Sequence, residues 1–190
     1  MNQSIVVVVL VSVLVSPVTA DILDLEMEVA NDFVHDTCNK TEELKDLCNS
    51  VIGSDPRDDL KSNLTSLLTI FINQTLRVVV DDHSYLYNQT LNGELDNRTL
   101  EVFKSCMNLY QMSKDSLQAL LDVELLKNKN ADLNMDLAQV DNFLDLCEVD
   151  FEGFTREPLT WKSRYDYVSS LLILSLRMTN LIKCNQIHYC

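Results

Sequence analysis

From residue 56 onward, apolar side chains recur every three or four positions, and the polar positions between them fall on the other side of a 3.6-residue turn. Leu60, Leu64, Leu67, Leu68, Phe71 and Val78 form the first stripe. Leu100, Phe103, Met107, Tyr110, Leu117, Leu120 and Leu121 form the second, with Cys106 among them. Leu133, Leu137, Val140, Leu144 and Cys147 step down a third. Trp161, Tyr165, Val168, Leu171, Leu172, Ser175 and Ile182 mark a fourth, and residues 168–176 are apolar nearly all round, as expected of the most buried helix in a bundle. Ahead of these, residues 22–36 carry a ragged stripe of Ile22, Leu25, Met27, Val29, Phe33 and Val34. A short helix around residues 42–50 follows, with Leu44, Leu47 and Cys48, and Val51 just beyond it.

The breaks sit between the stripes. Gly53-Ser54-Asp55-Pro56 reads as a stop and a new start, with Asp55 as N-cap and Pro56 as the first helical residue. That helix is expected to run to about Val80 or on to Tyr87. Asn92-Gly93 ends it, and Asp96 or Asn97, aided by Glu101, can cap the next. A polar hinge, Lys127-Asn128-Lys129-Asn130, precedes Asp132, a possible cap for the third long helix. Phe151-Glu152-Gly153-Phe154 reads as a loop, and Pro158 opens the last helix. Four amphipathic helices with short connections predict an all-α, up-down-up-down four-helix bundle preceded by an N-terminal helical hairpin. The composition agrees: three Gly and three Pro in 190 residues leave too few turn residues for many hairpins, while 46% apolar residues suffice for a core.

Residues 1–20 stand apart. Residues 5–15 are Val, Leu and Ile broken only by Ser12, and Val18 and Ala20 hold the small-residue places of a secretory cleavage site. The segment is expected to be a signal peptide cut after Ala20. Its apolar run is shorter than the ~20 residues of a membrane span. The mature part, 21–190, divides into a hairpin (21–54), the bundle (55–184) and a tail (185–190).

Export changes how the six cysteines read, because an even count in an oxidising compartment points to disulfides. Cys38 and Cys48 enclose a short loop, and a bridge there would clip two short helices together, worth roughly 2–3 kcal/mol in the chain-entropy picture. Cys106 lies about 22 residues before residue 128 and Cys147 about 19 after it, so antiparallel packing around the hinge brings both to one height. Export also gives meaning to five Asn-x-Thr triplets, at Asn39, Asn63, Asn73, Asn88 and Asn97, as N-glycosylation candidates.

The net charge of −14 repels nucleic acid and anionic membranes and favours a basic protein surface as partner. Catalytic chemistry finds little support. His35, His83 and His188 have acidic neighbours but no nucleophile motif, and no two share one helix face as zinc ligands do. The adjacent pairs Glu42-Glu43, Asp58-Asp59 and Asp81-Asp82 read as solvated helix surface rather than a glycosidase pair set across a cleft. No cofactor or metal is expected. Lys127 and Lys129 are cations in an acidic chain and could meet carboxylates of a partner's active-site cleft. A secreted helical signalling ligand is a rival reading, but such bundles use long crossover connections.

Several short segments, in this order and spacing, resemble a plant family. They are Cys38-Asn39-Lys40-Thr41 with Leu47-Cys48; Asp55-Pro56-Arg57; Cys106-Met107-Asn108-Leu109-Tyr110; Cys147-Glu148 with Phe151-Glu152-Gly153; and Glu157-Pro158-Leu159-Thr160. Together, over about residues 22–183, they resemble the plant invertase and pectin methylesterase inhibitors. The resemblance implies a helical bundle with bridges equivalent to Cys38–Cys48 and Cys106–Cys147. It also implies a secreted, non-covalent inhibitor, not an enzyme, in the apoplast or vacuole, bound one-to-one to its target without a cofactor and without a membrane once the signal peptide is cut. The Glu148 and Phe151 pattern leans to the invertase branch, with pectin methylesterase as the alternative target. Where invertase inhibitors carry a Pro-Lys-Phe motif, this chain has Lys129-Asn130-Ala131-Asp132, so Lys127, Lys129, Asn130 and Asp132 are the candidate partner contacts. Cys184 and Cys190 lie beyond the family pattern. They either pair with each other or leave Cys190 to bond another chain.

Overall fold

The computed structural model describes residues 31–91, 95–122, 133–152 and 159–187, all helix, 3-10 turn or short connection. Helix α1 covers residues 31–39. A 3-10 turn at Glu42–Leu44 leads into α2, Lys45–Ser54, and a second at Asp58–Lys61 precedes α3, Leu64–Leu91. The remaining long helices are α4, Asn97–Asp122, α5, Leu133–Glu152, and α6, Leu159–Ile187. In the ring of four, α3 packs on α4 and α6, and α5 packs on the same two. Cross-links at matched heights set an antiparallel sense for neighbours. Asp82 meets Arg164 and Tyr85 meets Thr160 between α3 and α6. Between α5 and α6, Asp145 meets Tyr165 and Asn134 meets Asn180. The expected all-α bundle is what the chain forms.

Its core is built from the predicted stripes. Leu67, Leu68 and Phe71 of α3, Phe103, Tyr110 and Leu117 of α4, Leu137, Val140 and Leu144 of α5, and Trp161, Val168, Leu171 and Leu172 of α6 are at most 2% exposed. Trp161 is the centre of this packing. Its ring lies 6.4 Å from that of Tyr85, 5.4 Å from Tyr110 and 5.1 Å from Phe151, so it touches an aromatic from each of the other three long helices. Phe103 meets Phe151 edge-on at 5.2 Å, the geometry that aligns a ring's positive edge with its neighbour's face. Among the described residues, α3 is the helix long and apolar enough to cross a membrane. Leu67, Leu68, Ile70, Phe71, Ile72, Val79 and Leu86 all point into the protein.

Two bridges pin the elements. Cys38 joins Cys48 and ties α1 to α2; Cys106 joins Cys147 and ties α4 to α5, with Cα atoms 5.6 Å and 4.9 Å apart. All four sulfurs are fully buried. Cys184 is disulfide-bonded as well, and Cys190 lies outside the described residues. The hairpin docks onto the bundle through Arg177 of α6, which donates to the Thr41 carbonyl and to the Glu43 carboxylate. Glu42 takes a positive φ of 56° where the chain turns between the two short helices, a conformation that L-residues adopt rarely.

Three expected boundaries move. The first long helix begins at Leu64, not Pro56. Asp55 does not cap it; the carboxylate accepts the Arg57 backbone N–H at 2.9 Å and the Arg57 guanidinium at 2.6 Å, holding a bend instead. The cap is Asn63, whose Oδ1 accepts the Ser66 N–H at 2.9 Å. Gly53 and Ser54 are helical, so the break comes after them. Phe151 is not loop but lies in the last turn of α5, where its ring packs tilted against Trp161. For α4, Asp96 is the cap and accepts the N–H groups of Arg98 and Thr99, both at 2.9 Å. Glu101 instead faces Lys104.

The Cys106–Cys147 bridge closes a span of 41 residues, so it restricts the unfolded chain more than the Cys38–Cys48 clip does. The double substitution Cys106→Ala/Cys147→Ala should lower the unfolding free energy by about 4 kcal/mol. Urea unfolding followed through Trp161 fluorescence measures it. A change below 1 kcal/mol would show that packing alone, at about native strength, keeps α4 against α5.

Candidate docking surface

Helix α5 has two faces of opposite use. Leu137, Val140, Leu144, Cys147 and Phe151 face the core. Met135, Gln139, Asn142, Leu146 and Val149 recur at the same spacing on the outside and are all exposed. Met135 is 70%, Leu146 53% and Val149 60% exposed. The stripe contains no charged side chain, although the protein as a whole carries −14. At 1.5 Å per residue it is about 21 Å long. Exposed apolar side chains in a row, rimmed by Asp136, Asp145, Glu148 and Asp150, fit an apolar interface centre with a polar rim.

Polar links beside this face hold α5 to α6. The Tyr165 hydroxyl donates to Asp145 at 2.7 Å, and burial together with that carboxylate raises its pKa. Lys162 reaches Glu148 at 2.8 Å and Asp166 at 2.7 Å, and these two carboxylates, Asp166 first, stabilise its charged form. Asn134 Nδ2 donates to Asn180 Oδ1 at 2.9 Å, while Thr179 donates to Asn134. The backbone behind the stripe is thereby fixed before any partner arrives, which limits the ordering cost of association.

A second feature lies across the bundle, between α3 and α6. Arg164 donates to Asp82 at 2.6 Å and to Asp81 at 2.7 Å, and its guanidinium sits 4.6 Å above the Tyr85 ring. Asp82 is 1% exposed, and its other oxygen has no hydrogen-bond partner among the described residues. Burial pushes its pKa up, against the pull of Arg164.

Catalytic constellations do not form among the described residues. Among the described residues no cluster of three or more His, Cys, Asp or Glu could hold a metal. His35 faces Asn39 Nδ2 at 3.1 Å. His83 is disfavoured as a cation, first by burial and then by Lys114. Asp81 and Asp82 are held by Arg164, and Glu43 by Arg177. Of the sequence-derived candidates, Asn39, Asn63, Asn88 and Asn97 are exposed and Asn73 is half-buried. Lys127, Lys129, Asn130, Asp132 and His188 lie outside the described residues. The α5 stripe was not singled out from sequence, yet its spacing was there: Met135, Leu146 and Val149 are apolar residues that miss the core stripe.

A helical bundle of this ring order, with a clipped hairpin at its head and one bridge between α4 and α5, matches a known family. The family described as plant invertase/pectin methylesterase inhibitor covers residues 32–178. The chain belongs to that family. Two solved structures from Arabidopsis share the fold. One is mutant form A of a pectin methylesterase inhibitor, at 17% identity and TM-score 0.62, covering 75% of this chain and 92% of that one. The other is a pectin methylesterase inhibitor from Arabidopsis thaliana, at 17% identity and TM-score 0.56, covering 77% and 93%. No curated relative matches the chain by sequence. Family members are inhibitors that bind target enzymes of the cell wall, and this inhibitor is not itself an enzyme.

Asp82 gives the inhibitor a pH dependence with a definite sign. Its folded pKa lies above its unfolded one, so the folded state holds the proton more tightly. The resulting stabilisation is full below the unfolded value of about 3.9 and is lost as pH rises through the folded value. Relative to Asp82→Asn, the unfolding free energy of the native protein should therefore fall as pH climbs through that window. Urea titrations of both proteins at a series of pH values read it directly; a difference that stays flat with pH contradicts it.

Proposed function

We propose that the mature protein, residues 21–190, is a secreted one-to-one inhibitor of a cell-wall or vacuolar invertase, and that it docks through the outer face of α5. The observation that carries this reading is the uncharged stripe of Met135, Leu146 and Val149. The preference for invertase rests on the Cys147-Glu148 and Phe151 pattern. The rival target is pectin methylesterase, the enzyme named in the two Arabidopsis neighbours.

Signal cleavage after Ala20 would deliver the chain to the apoplast, and a Cys184–Cys190 bridge would close the tail. Lys127, Lys129, Asn130 and Asp132 precede α5 in the sequence and remain proposed partner contacts. All five glycosylation candidates fall between residues 39 and 97, before α5 begins. None of the five triplets therefore lies on α5 itself. The charge of −14 would speed encounter with a basic enzyme surface and make association weaken with salt.

Inhibition assays of purified invertase and pectin methylesterase at mildly acidic pH separate the two targets. Invertase activity should fall with one equivalent of inhibitor. Leu146→Asp and Val149→Asp should each weaken inhibition by at least tenfold, about 1.4 kcal/mol, with unchanged helical circular dichroism because both side chains already face solvent. Loss of pectin methylesterase activity alone would select the rival target. Full potency in both variants would remove α5 from the interface.

A further inference from the structure

The α3–α6 side holds a groove of about 900 Å³ that the docking stripe does not use. Arg77, Val80, Asp81, Ser84, Arg164 and Tyr167 are among its lining residues. Val80 and Tyr167 are 41% and 38% exposed there. Arg77 and Arg164 balance Asp81 and Asp82, so the groove is close to neutral in a strongly acidic protein. An exposed aromatic ring, an exposed aliphatic group and planar polar side chains around them suit a ligand with one apolar face and a rim of hydroxyls.

The same helix supplies such a ligand's attachment point. Asn73, Arg77, Val80, Ser84 and Asn88 are three or four residues apart and share one face of α3. Each end of this row is an Asn-x-Thr triplet, Asn73-Gln74-Thr75 and Asn88-Gln89-Thr90. Helical side chains lean toward the helix N-terminus. Asn73 therefore leans away from the groove, and its Nδ2 donates to the Thr69 carbonyl at 2.8 Å. Asn88 leans over Ser84, toward the groove, and is exposed. From Asn88 to Val80 is about 12 Å along the axis, a span for the first few sugars of a chain.

We propose that Asn88 carries an N-linked glycan whose first N-acetylhexosamine units lie in the α3–α6 groove, with an apolar sugar face or acetyl methyl against Tyr167 and Val80. Sugar hydroxyls meet Asp81, Ser84 and Arg77. These first units are uncharged, as the groove requires. Attachment forms a bond between Asn88 Nδ2 and the anomeric carbon of a lipid-linked oligosaccharide diphosphate. It breaks the anomeric C–O bond, releases the lipid diphosphate and removes one Nδ2 proton to the transferase base; nothing is oxidised or reduced. The proposal rests on export through the secretory route, not on which enzyme the protein inhibits.

The full chain secreted from a eukaryotic host provides the test. Enzymatic glycan release in heavy-oxygen water should leave the label on residue 88. Before release, NMR of the intact glycoprotein should show contacts between an N-acetyl methyl group and the Tyr167 ring. Asn88→Gln should abolish those contacts and shift the Tyr167 resonances, whereas Asn97→Gln should leave both in place. Both positions are exposed, so helical circular dichroism should be unchanged. An unlabelled residue 88 overturns the proposal. So does a labelled residue 88 whose glycan removal leaves the Tyr167 resonances where they were.

Discussion

The bundle depends on one indole. Trp161 sits in the first turn of α6 and meets Tyr85, Tyr110 and Phe151, one ring from each of the other long helices. Removing a buried Trp side chain costs about 3–5 kcal/mol, a large part of what a domain has in reserve. Around it the packing is not free of expense. Trp161 Nε1, the Tyr110 hydroxyl and one Asp82 oxygen are buried without a hydrogen-bond partner among the described residues, and a polar group left unpaired in an interior counts against folding by roughly 1–3 kcal/mol. Apolar burial has to outweigh such groups, which fits the many Leu, Ile and Phe side chains of the core.

The ring layer and the α4–α5 bridge divide the work. Aromatic contacts bring all four helices together at one level, and Phe103 meets Phe151 close to where Cys106 meets Cys147. The bridge then fixes the relative height of α4 and α5, which nonspecific apolar packing would leave free to slide. With α5 locked on one side by sulfur and on the other by Tyr165, Lys162 and Asn180, its outer face is a preformed surface. That rigidity suits an inhibitor: what it presents need not be reshaped when it meets an enzyme.

Much of this was legible in the chain. The four long stripes and the placement of Cys106 and Cys147 on apolar faces follow from a 3.6-residue period, a signal repeated over many residues. Errors fell where the reading rested on one or two residues. Asp55-Pro56 has the chemistry of a helix start, but Asn63 has it too, and the Arg57 guanidinium captures Asp55. Gly153 made Phe151 look like loop, whereas α5 runs through it and its ring packs against Trp161. The Asp82–Arg164 pair joins residues 82 positions apart, and no local pattern announces such a pairing. The α5 stripe was visible as spacing but not as exposure, because which of two apolar faces turns inward is decided by the neighbouring helices.

Thr41 has a consequence for the order of events during biogenesis. It is the third residue of the Asn39 triplet, it is fully buried, and its hydroxyl is turned inward onto the Cys38 carbonyl. A transferase that reads both ends of Asn-x-Thr must reach Thr41 while that threonine is still accessible. On the proposed route of export, sulfur oxidation at Cys38 and sugar transfer at Asn39 would compete for the same few residues, and the faster of the two would set what fraction of molecules bears a carbohydrate on the hairpin.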